Sequence, residues 1–378
     1  MHGGPEVVGH AATGTHGPRL ATAADLDGLS ALLASLGREE GMNVITRALV
    51  MASARVVVHS SPDGMVEGVL VVHDLDGPHG EARVLLYGGE GRKGLIADAA
   101  RLVGDMGCDV LVDDDGTRHV VPESGGSLAA RFIRLAARAA NAANLAAATT
   151  AGIGTTHTKD DGSISAAADA AADTDAAAIL ADLGVPMLSE ERADVALDDP
   201  TAPWLVVDPI DGTGNYRAGL PPWAFAAGLV QDGRPLAGYV MDLSSGRRWW
   251  GVVGAGAFRD GHRIEPQAGA TLIVPTPPTG AAATVPDGYR RIRITGCTAI
   301  DLCLVADGSA GAWHDLDRDG THVHDVAGAL GVLAAAGGVV RDPSGAELPL
   351  PPDTAGLIRF VAAADAPSAD HLVAWHRR

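Results

Sequence analysis

Residues 204–216 read Trp-Leu-Val-Val-Asp-Pro-Ile-Asp-Gly-Thr-Gly-Asn-Tyr. The apolar run Trp204 to Val207 has the character of a buried strand, and Asp208 stands where that strand ends. Asp211 follows three residues later. Gly212 and Thr213 can then turn the backbone and present free N–H groups. Two carboxylates beside such an N–H nest suit hard cations and a phosphate at one place. A strand followed by an ordinary Asp-Pro-Gly turn is the plain alternative, so the rest of the chain must decide.

Composition narrows the classes. The chain has 378 residues, 47% hydrophobic and 20% charged, which fits a globular protein large enough for two domains. A net charge of −19 argues against a nucleic-acid partner, whose backbone needs a basic surface. It leaves room for an anionic small molecule if bound cations invert the local sign. The Ala-rich stretch 128–148 is interrupted by Arg131, Arg134 and Arg138, so no membrane span is expected. Three cysteines without metal-knuckle spacing, and an N-terminus lacking a secretory pattern, give the expectation of a cytoplasmic protein. Only Lys93 and Lys159 are lysines among 28 basic residues. Where Arg serves almost everywhere, a remaining Lys suggests a need for a compact point charge.

Punctuation and periodicity divide the chain. Residues 1–18, rich in Gly, His and Pro, are expected to be disordered. A small α/β domain is expected over 19–113, with helices near 24–36, 40–53 and 93–106. Its strands are expected at 55–59, 66–73, 82–87 and 110–112. The Gly88–Gly94 turn before the third helix weakly resembles the front half of a GNAT acetyltransferase. Residues 114–127 read as a linker. The remainder, 128–378, opens with a long helix and alternates strands and turns to a buried helix near 325–336.

Further segments join the opening motif: Lys159-Asp-Asp-Gly-Ser163, Asp169 ten residues later, Leu188-Ser-Glu-Glu191, Gly254-Ala-Gly-Ala-Phe258, Gly296-Cys-Thr-Ala-Ile-Asp-Leu, and His324-Asp325-Val-Ala-Gly. In this order and spacing they resemble the inositol monophosphatase family, within the superfamily that includes fructose-1,6-bisphosphatases. The resemblance implies a layered α/β/α/β/α sandwich, an α/β fold, and a Mg²⁺-dependent phosphomonoesterase (Mn²⁺ as an alternative ion). It also implies a homodimer and a small polyol or sugar phosphate as substrate. Such esters hydrolyse extremely slowly in water. Cations that neutralise the phosphate and activate water are one route to the acceleration required.

Carried onto these residues, the resemblance implies that Glu190, Asp208 and the Ile210 carbonyl hold one metal. Asp208, Asp211 and Asp325 would hold a second, and Glu190 would share a weaker third. The N–H groups of Gly212 and Thr213 would take phosphate oxygens. The Thr213 hydroxyl, paired with Asp169, would move the proton of the attacking water. Lys159 would lie in the loop closing over the metals. Asp315 would meet substrate hydroxyls, with Asp325 beside the substrate as well.

Some residues depart from the family pattern. His324 replaces the usual Trp, and with His314 and His322 it raises a histidine-based metal site as an alternative. The segment 313–321 is longer than usual. Arg217, Arg247 and Arg248 would be available to a second phosphate, as a bisphosphatase requires. Other readings are a silent regulator binding a phosphorylated metabolite, a histidinol-phosphatase-like activity, or a second, acetyl-transferring domain.

Overall fold

In the computed structural model the described residues are 17–49, 54–63, 65–73, 75, 81–121, 127–149, 156–158, 164–192, 197–277 and 285–377. They fall into two compact units, Met1–Gly125 and Gly126–Arg378.

The first unit runs β1 (Gly17–Leu20), α1 (Leu26–Ser35), α2 (Gly41–Ala48), β2 (Arg55–Ser60), β3 (Val66–His73), β4 (Glu81–Gly89), α3 (Arg92–Asp105), β5 (Val110–Val112) and β6 (Arg118–Val120). The strands form one sheet in chain order. Only β4 and β5 are parallel, because α3 crosses between them. Leu29, Leu33 and Ile45 of α1 and α2 pack on Val56, Val58, Val69 and Val71. The alternating neighbours Val57 and Leu70 are buried too, and α3 supplies Leu95, Ala99 and Val103.

Two expectations are corrected here. β1 begins at Gly17, inside the stretch expected to be disordered. The supposed linker 114–127 carries β6, which folds back on β5 through a turn with Gly116 at φ 86°. Three residues of a partly polar strand, Arg-His-Val, give too short a pattern to stand out in sequence.

The second unit opens with α4 (Leu128–Thr149), the strand pair β7 (Thr156–Thr158) and β8 (Ile164–Ala166), α5 (Ala167–Leu180) and β9 (Met187–Ser189). Next come β10 (Trp204–Asp211), α6 (Thr213–Ala218), β11 (Ala224–Gln231), β12 (Arg234–Asp242), β13 (Arg248–Val252), β14 (Gly256–Arg259) and β15 (His262–Ile264). The chain continues with β16 (Thr271–Ile273), β17 (Arg291–Arg293), α7 (Thr298–Ala306), β18 (Ala312–His314), β19 (Thr321–His322) and α8 (Val323–Ala336). It ends with β20 (Val339–Arg341), β21 (Leu357–Ile358), β22 (Val361–Ala363) and α9 (Ala366–His376).

Strands β15-β14-β13-β12-β11-β10-β9 form a seven-stranded sheet, and β17-β16-β18-β22-β20 a five-stranded one. Helices α4 and α5 cover the outer face of the large sheet. Helices α7 and α8 lie between the sheets, where Trp249, Val326, Leu330, Leu302, Trp313 and Phe360 share one core. Helix α9 closes the far side with Leu372 and Val373 against Leu272 and Val361. The result is the α/β/α/β/α sandwich expected. Helix α8 approaches the large sheet almost backbone to backbone. A Cβ on Gly238 would come within 1.9 Å of the Gly328 carbonyl oxygen, so only glycine fits there. That close approach brings the first turn of α8, and Asp325 with it, near the end of β10.

Candidate metal and phosphate site

All eight residues of β10 are buried, Asp208 and Asp211 included. The strand pairs with β11 up to Asp208↔Ala226, then resumes at Asp211↔Ala224 across a bulge. Pro209, which has no N–H to give the ladder, sits in that break. The bulge re-aims Asp211, and Gly212 at φ 84° then turns the chain into α6. On the other side, parallel pairing of Val207 with Ser189 sets Glu190 beside Asp208. The Glu190 N–H also donates to the Val207 carbonyl at 3.2 Å.

Asp208, Asp211 and Asp325 come together. One carboxylate oxygen from each lies within 4.8 Å of the others. Like charges this close, taken out of water, resist ionising. Burial pushes Asp208 well above the usual carboxylate range, and the charges of Glu190, Asp211, Asp325 and Asp169 push it further. Asp211 rises to about 6, burial again leading, although donors from Cys297 and Ala299 oppose the shift. Asp325 also rises to about 6 through burial, partly relieved by His324 and His322. The repulsions place Glu190 within electrostatic reach of all three, and Asp169 within reach of Asp208. An all-oxygen, like-charged set of this kind fits a hard divalent cation.

The supporting contacts are specific. Asp208 Oδ1 accepts the Ile210 N–H at 3.0 Å, and the Thr213 hydroxyl donates to the Ile210 carbonyl at 3.1 Å. Asp169 opens α5 and is 2% exposed. Two donors hold Asp211 Oδ2: the Cys297 thiol at 3.0 Å and the Ala299 N–H, in the first turn of α7, at 2.7 Å. Asn215 Nδ2 donates at 2.8 Å to the carbonyls of Pro222 and Thr295, tying the turn after β10 to the turn before α7. The holding role of Cys297 was missed in sequence. Its signal was the Gly296-Cys297 pair opening a helix that then begins Thr-Ala-Ile.

Other expectations meet different surroundings. Lys159 lies outside the described residues. Asp315 is 1% exposed, with Oδ1 accepting the Phe360 N–H and Oδ2 the Thr321 hydroxyl, each at 2.8 Å. Burial raises it to about 6 in spite of those bonds. This corrects its expected contact with substrate hydroxyls: the carboxylate braces β19 against the chain entering β22. Arg248 is fully buried and donates to Asn141 Oδ1 at 2.9 Å, so it is committed to α4 and not to a second phosphate. His322 and His324 stack with ring centroids 5.0 Å apart, and His324 Nε2 lies 3.5 Å from Asp325 Oδ1. Among the described residues the only group placed to hold a metal is the three aspartates, so no histidine site is found.

The family model of the inositol monophosphatases matches residues 127–377. The chain belongs to that family. Its members are phosphoric monoester hydrolases that depend on metal ions. An inositol-1-monophosphatase ImpA of Mycolicibacterium smegmatis is 34% identical over 180 residues, 43% of this chain and 63% of that protein. A fructose-1,6-bisphosphatase/inositol-1-monophosphatase of Thermococcus kodakarensis is 32% identical over 171 residues, 44% of this chain and 65% of its own length. The chain thus spans a little under two thirds of these relatives. An inositol monophosphatase structure from Anabaena superposes with a TM-score of 0.52 at 23% identity, covering 64% of this chain and 93% of that one. That likeness concerns the fold. The family match begins at residue 127, and the comparisons give the acetyltransferase resemblance of the first unit no support. No helix among the described residues is long and apolar enough to cross a membrane.

Proposed function

We propose that the chain is a Mg²⁺-dependent phosphomonoesterase acting on a small polyol or sugar phosphate, with its site wholly in residues 126–378. The convergence of Asp208, Asp211 and Asp325 within 4.8 Å carries this reading. Bound Mg²⁺ ions would neutralise the phosphate, lower the pKa of an attacking water and stabilise the departing alkoxide. Glu190, Asp208 and the Ile210 carbonyl would hold one ion, and Asp208, Asp211 and Asp325 another. A weaker third would share Glu190, and Mn²⁺ could replace Mg²⁺ in the same oxygen set.

Within that frame the chain's own groups have definite tasks. The N–H groups of Gly212 and Thr213 hold phosphate oxygens at the turn opened by the positive φ of Gly212. The Thr213 hydroxyl, which donates to the Ile210 carbonyl in this structure, would turn to Asp169 and pass its own proton there as it takes up that of the attacking water. Lys159 would screen the incoming anion. Asp325, the more exposed of the three aspartates, faces the incoming alcohol. A cytoplasmic homodimer is the assembly we propose.

The names of the relatives suggest two substrate types, an inositol monophosphate and fructose 1,6-bisphosphate. The burial of Arg248 removes one of the three arginines considered for a second phosphate, while Arg217 and Arg247 are exposed, so the substrate panel decides between the two types. The test is phosphate release from a panel of inositol, sugar, histidinol and nucleoside phosphates with 5 mM-range Mg²⁺ (roughly the scale that keeps weak oxygen sites filled). Release from a polyol or sugar phosphate, abolished by chelator, is expected. Tight binding of a phosphorylated metabolite without turnover would instead make the protein a silent binder.

A further inference from the structure

One helix meets the site twice. Asp169 and Asp173 stand four residues apart on α5, so they project from the same face one turn apart. Asp169 lies near enough to Asp208 for its charge to hinder ionisation there. Asp173, 5% exposed, is engaged elsewhere. Its Oδ1 accepts the hydroxyl of Ser189 at 2.6 Å, and its Oδ2 accepts Arg192 Nε–H at 2.6 Å. Its carbonyl takes a longer bond, 3.4 Å, from Arg192 Nη2. Ser189 precedes Glu190, and Arg192 follows two residues later. The Ser189 oxygens also accept N–H groups from Glu191 and Arg192 at 3.4 and 3.3 Å. The turn that carries Glu190 is therefore tied to a single carboxylate of α5.

We propose that Asp173, gripping Ser189 and Arg192, is a positioning residue that holds Glu190 and Asp169 in one frame beside Asp208. This rests on the metal-site reading above. Two observations make the bracket more than local decoration. A carboxylate removed from water at this depth is costly unless paired and hydrogen-bonded, and here both oxygens are satisfied by groups flanking Glu190. The Arg192 contact is also charge-assisted and spans 19 residues, joining a helix to a strand end. The Glu190 N–H bonds the Val207 carbonyl of β10, and through Ser189 and Arg192 helix α5 supports the same turn from the other side.

The test uses the full chain and reads metal binding directly. Partners that orient metal ligands typically contribute 10–100-fold in affinity. Calorimetric titration with Mn²⁺ is expected to show Asp173→Asn weakening binding by about tenfold, and Arg192→Ala by a few-fold, well below the melting temperature of each variant. The Mg²⁺ concentration giving half-maximal phosphate release should rise in parallel, with much of the rate recovered at saturating Mg²⁺. Ala178→Gly, exposed on the side of the same helix turned away from Asp173, should lower thermal stability and leave Mn²⁺ affinity unchanged. Arg192 is a surface residue, so Arg192→Ala decides the matter even if Asp173→Asn does not fold. Wild-type affinity in both variants overturns the proposal, and so does equal weakening by Ala178→Gly. A wild-type chain that binds Mn²⁺ but releases no phosphate sinks the phosphatase reading alone. A chain that binds no metal sinks both.

Discussion

The chain contains two strand–turn–helix corners built alike. In the first unit β4 ends at Gly89, Gly91 takes φ 75°, and α3 begins at Arg92. In the second β10 ends at Asp211, Gly212 takes φ 84°, and α6 begins at Thr213. Either could have been read as an anion cradle. At the first, the cation is spent: Arg92 bonds Asp113 and Asp114 and lies over the Tyr87 ring. At the second, the facing groups are carboxylates that raise one another's pKa. A glycine turn alone says little. The sign and the satisfaction of the charges around it distinguish a closed corner from one built for a ligand.

The sharpest way to break this comparison is to neutralise one charge at each corner. Asp208→Asn should cut phosphate release by roughly a thousandfold, since losing several kcal/mol of charge stabilisation costs tenfold per 1.4 kcal/mol. Arg92→Ala should leave the rate within about twofold, the scale of surface changes away from a site. Equal losses at the two positions in a phosphate-release assay would mean that the first corner serves the reaction after all.

A second prediction concerns pH. Asp211 and Asp325 hold their protons up to about 6, against an ordinary value of 3.8. Without metal, that proton uptake stabilises the fold fully below about pH 4 and is lost as pH rises through about 6. It amounts to at most about 3 kcal/mol per carboxylate at 1.36 kcal/mol per unit. Cations compete with those protons. The gain in melting temperature on adding Mg²⁺ should therefore be small at pH 5 and largest above pH 7. An identical gain at both would contradict a carboxylate metal site.

Much of this site could be read from the chain before its structure. The strand Trp204–Val207, the terminal Asp208 and the turn at Gly212 are local features, and Asp325 opens an apolar helix whose pattern is plain. Asp211–Cys297 was hidden because the partners stand 86 residues apart, and the Gly296-Cys297 pair marks a helix start without naming the carboxylate it meets. The small sheet was hidden for another reason. Strands β16, β17, β18, β20 and β22 have three residues each, too few for an alternating pattern to emerge. Asp315 was misread because its acidic character was visible while its enclosure by Phe360 and Thr321 was not.

Glycine replacement compares the two turns themselves. A Cβ on Gly212 would stand 3.2 Å from Cys297 Cβ and from the Pro222 carbonyl oxygen, and 3.3 Å from the Gly296 carbonyl oxygen. On Gly91 its nearest neighbours would be atoms of the His59 side chain, from 3.0 Å. Both substitutions to Ala carry the strain of positive φ, about 1–3 kcal/mol. Gly212→Ala should also lower phosphate release at saturating Mg²⁺, because backbone cannot step aside. Gly91→Ala should shift melting alone. Unimpaired turnover in Gly212→Ala would show that the turn has slack.

The smallest expected effect tests how the second corner tolerates its own charge. Arg92 closes the first corner with a full positive charge, whereas Asp211 is held by neutral donors, the Cys297 thiol and the Ala299 N–H. Neutral donors orient a carboxylate without consuming the charge a cation needs, and a thiol is the weakest of them. Cys297→Ala removes one of two bonds to Oδ2 and should weaken Mn²⁺ binding by about threefold, near 0.6 kcal/mol and within the range of a single weak hydrogen bond. Cys297→Ser offers a stronger donor in nearly the same volume and should bind at least as well as the wild type. If serine and alanine weaken binding alike, the site needs the volume of the sulfur and not its hydrogen bond. Cys297 would then support the corner by packing, with the Ala299 N–H as the hydrogen bond that holds Asp211.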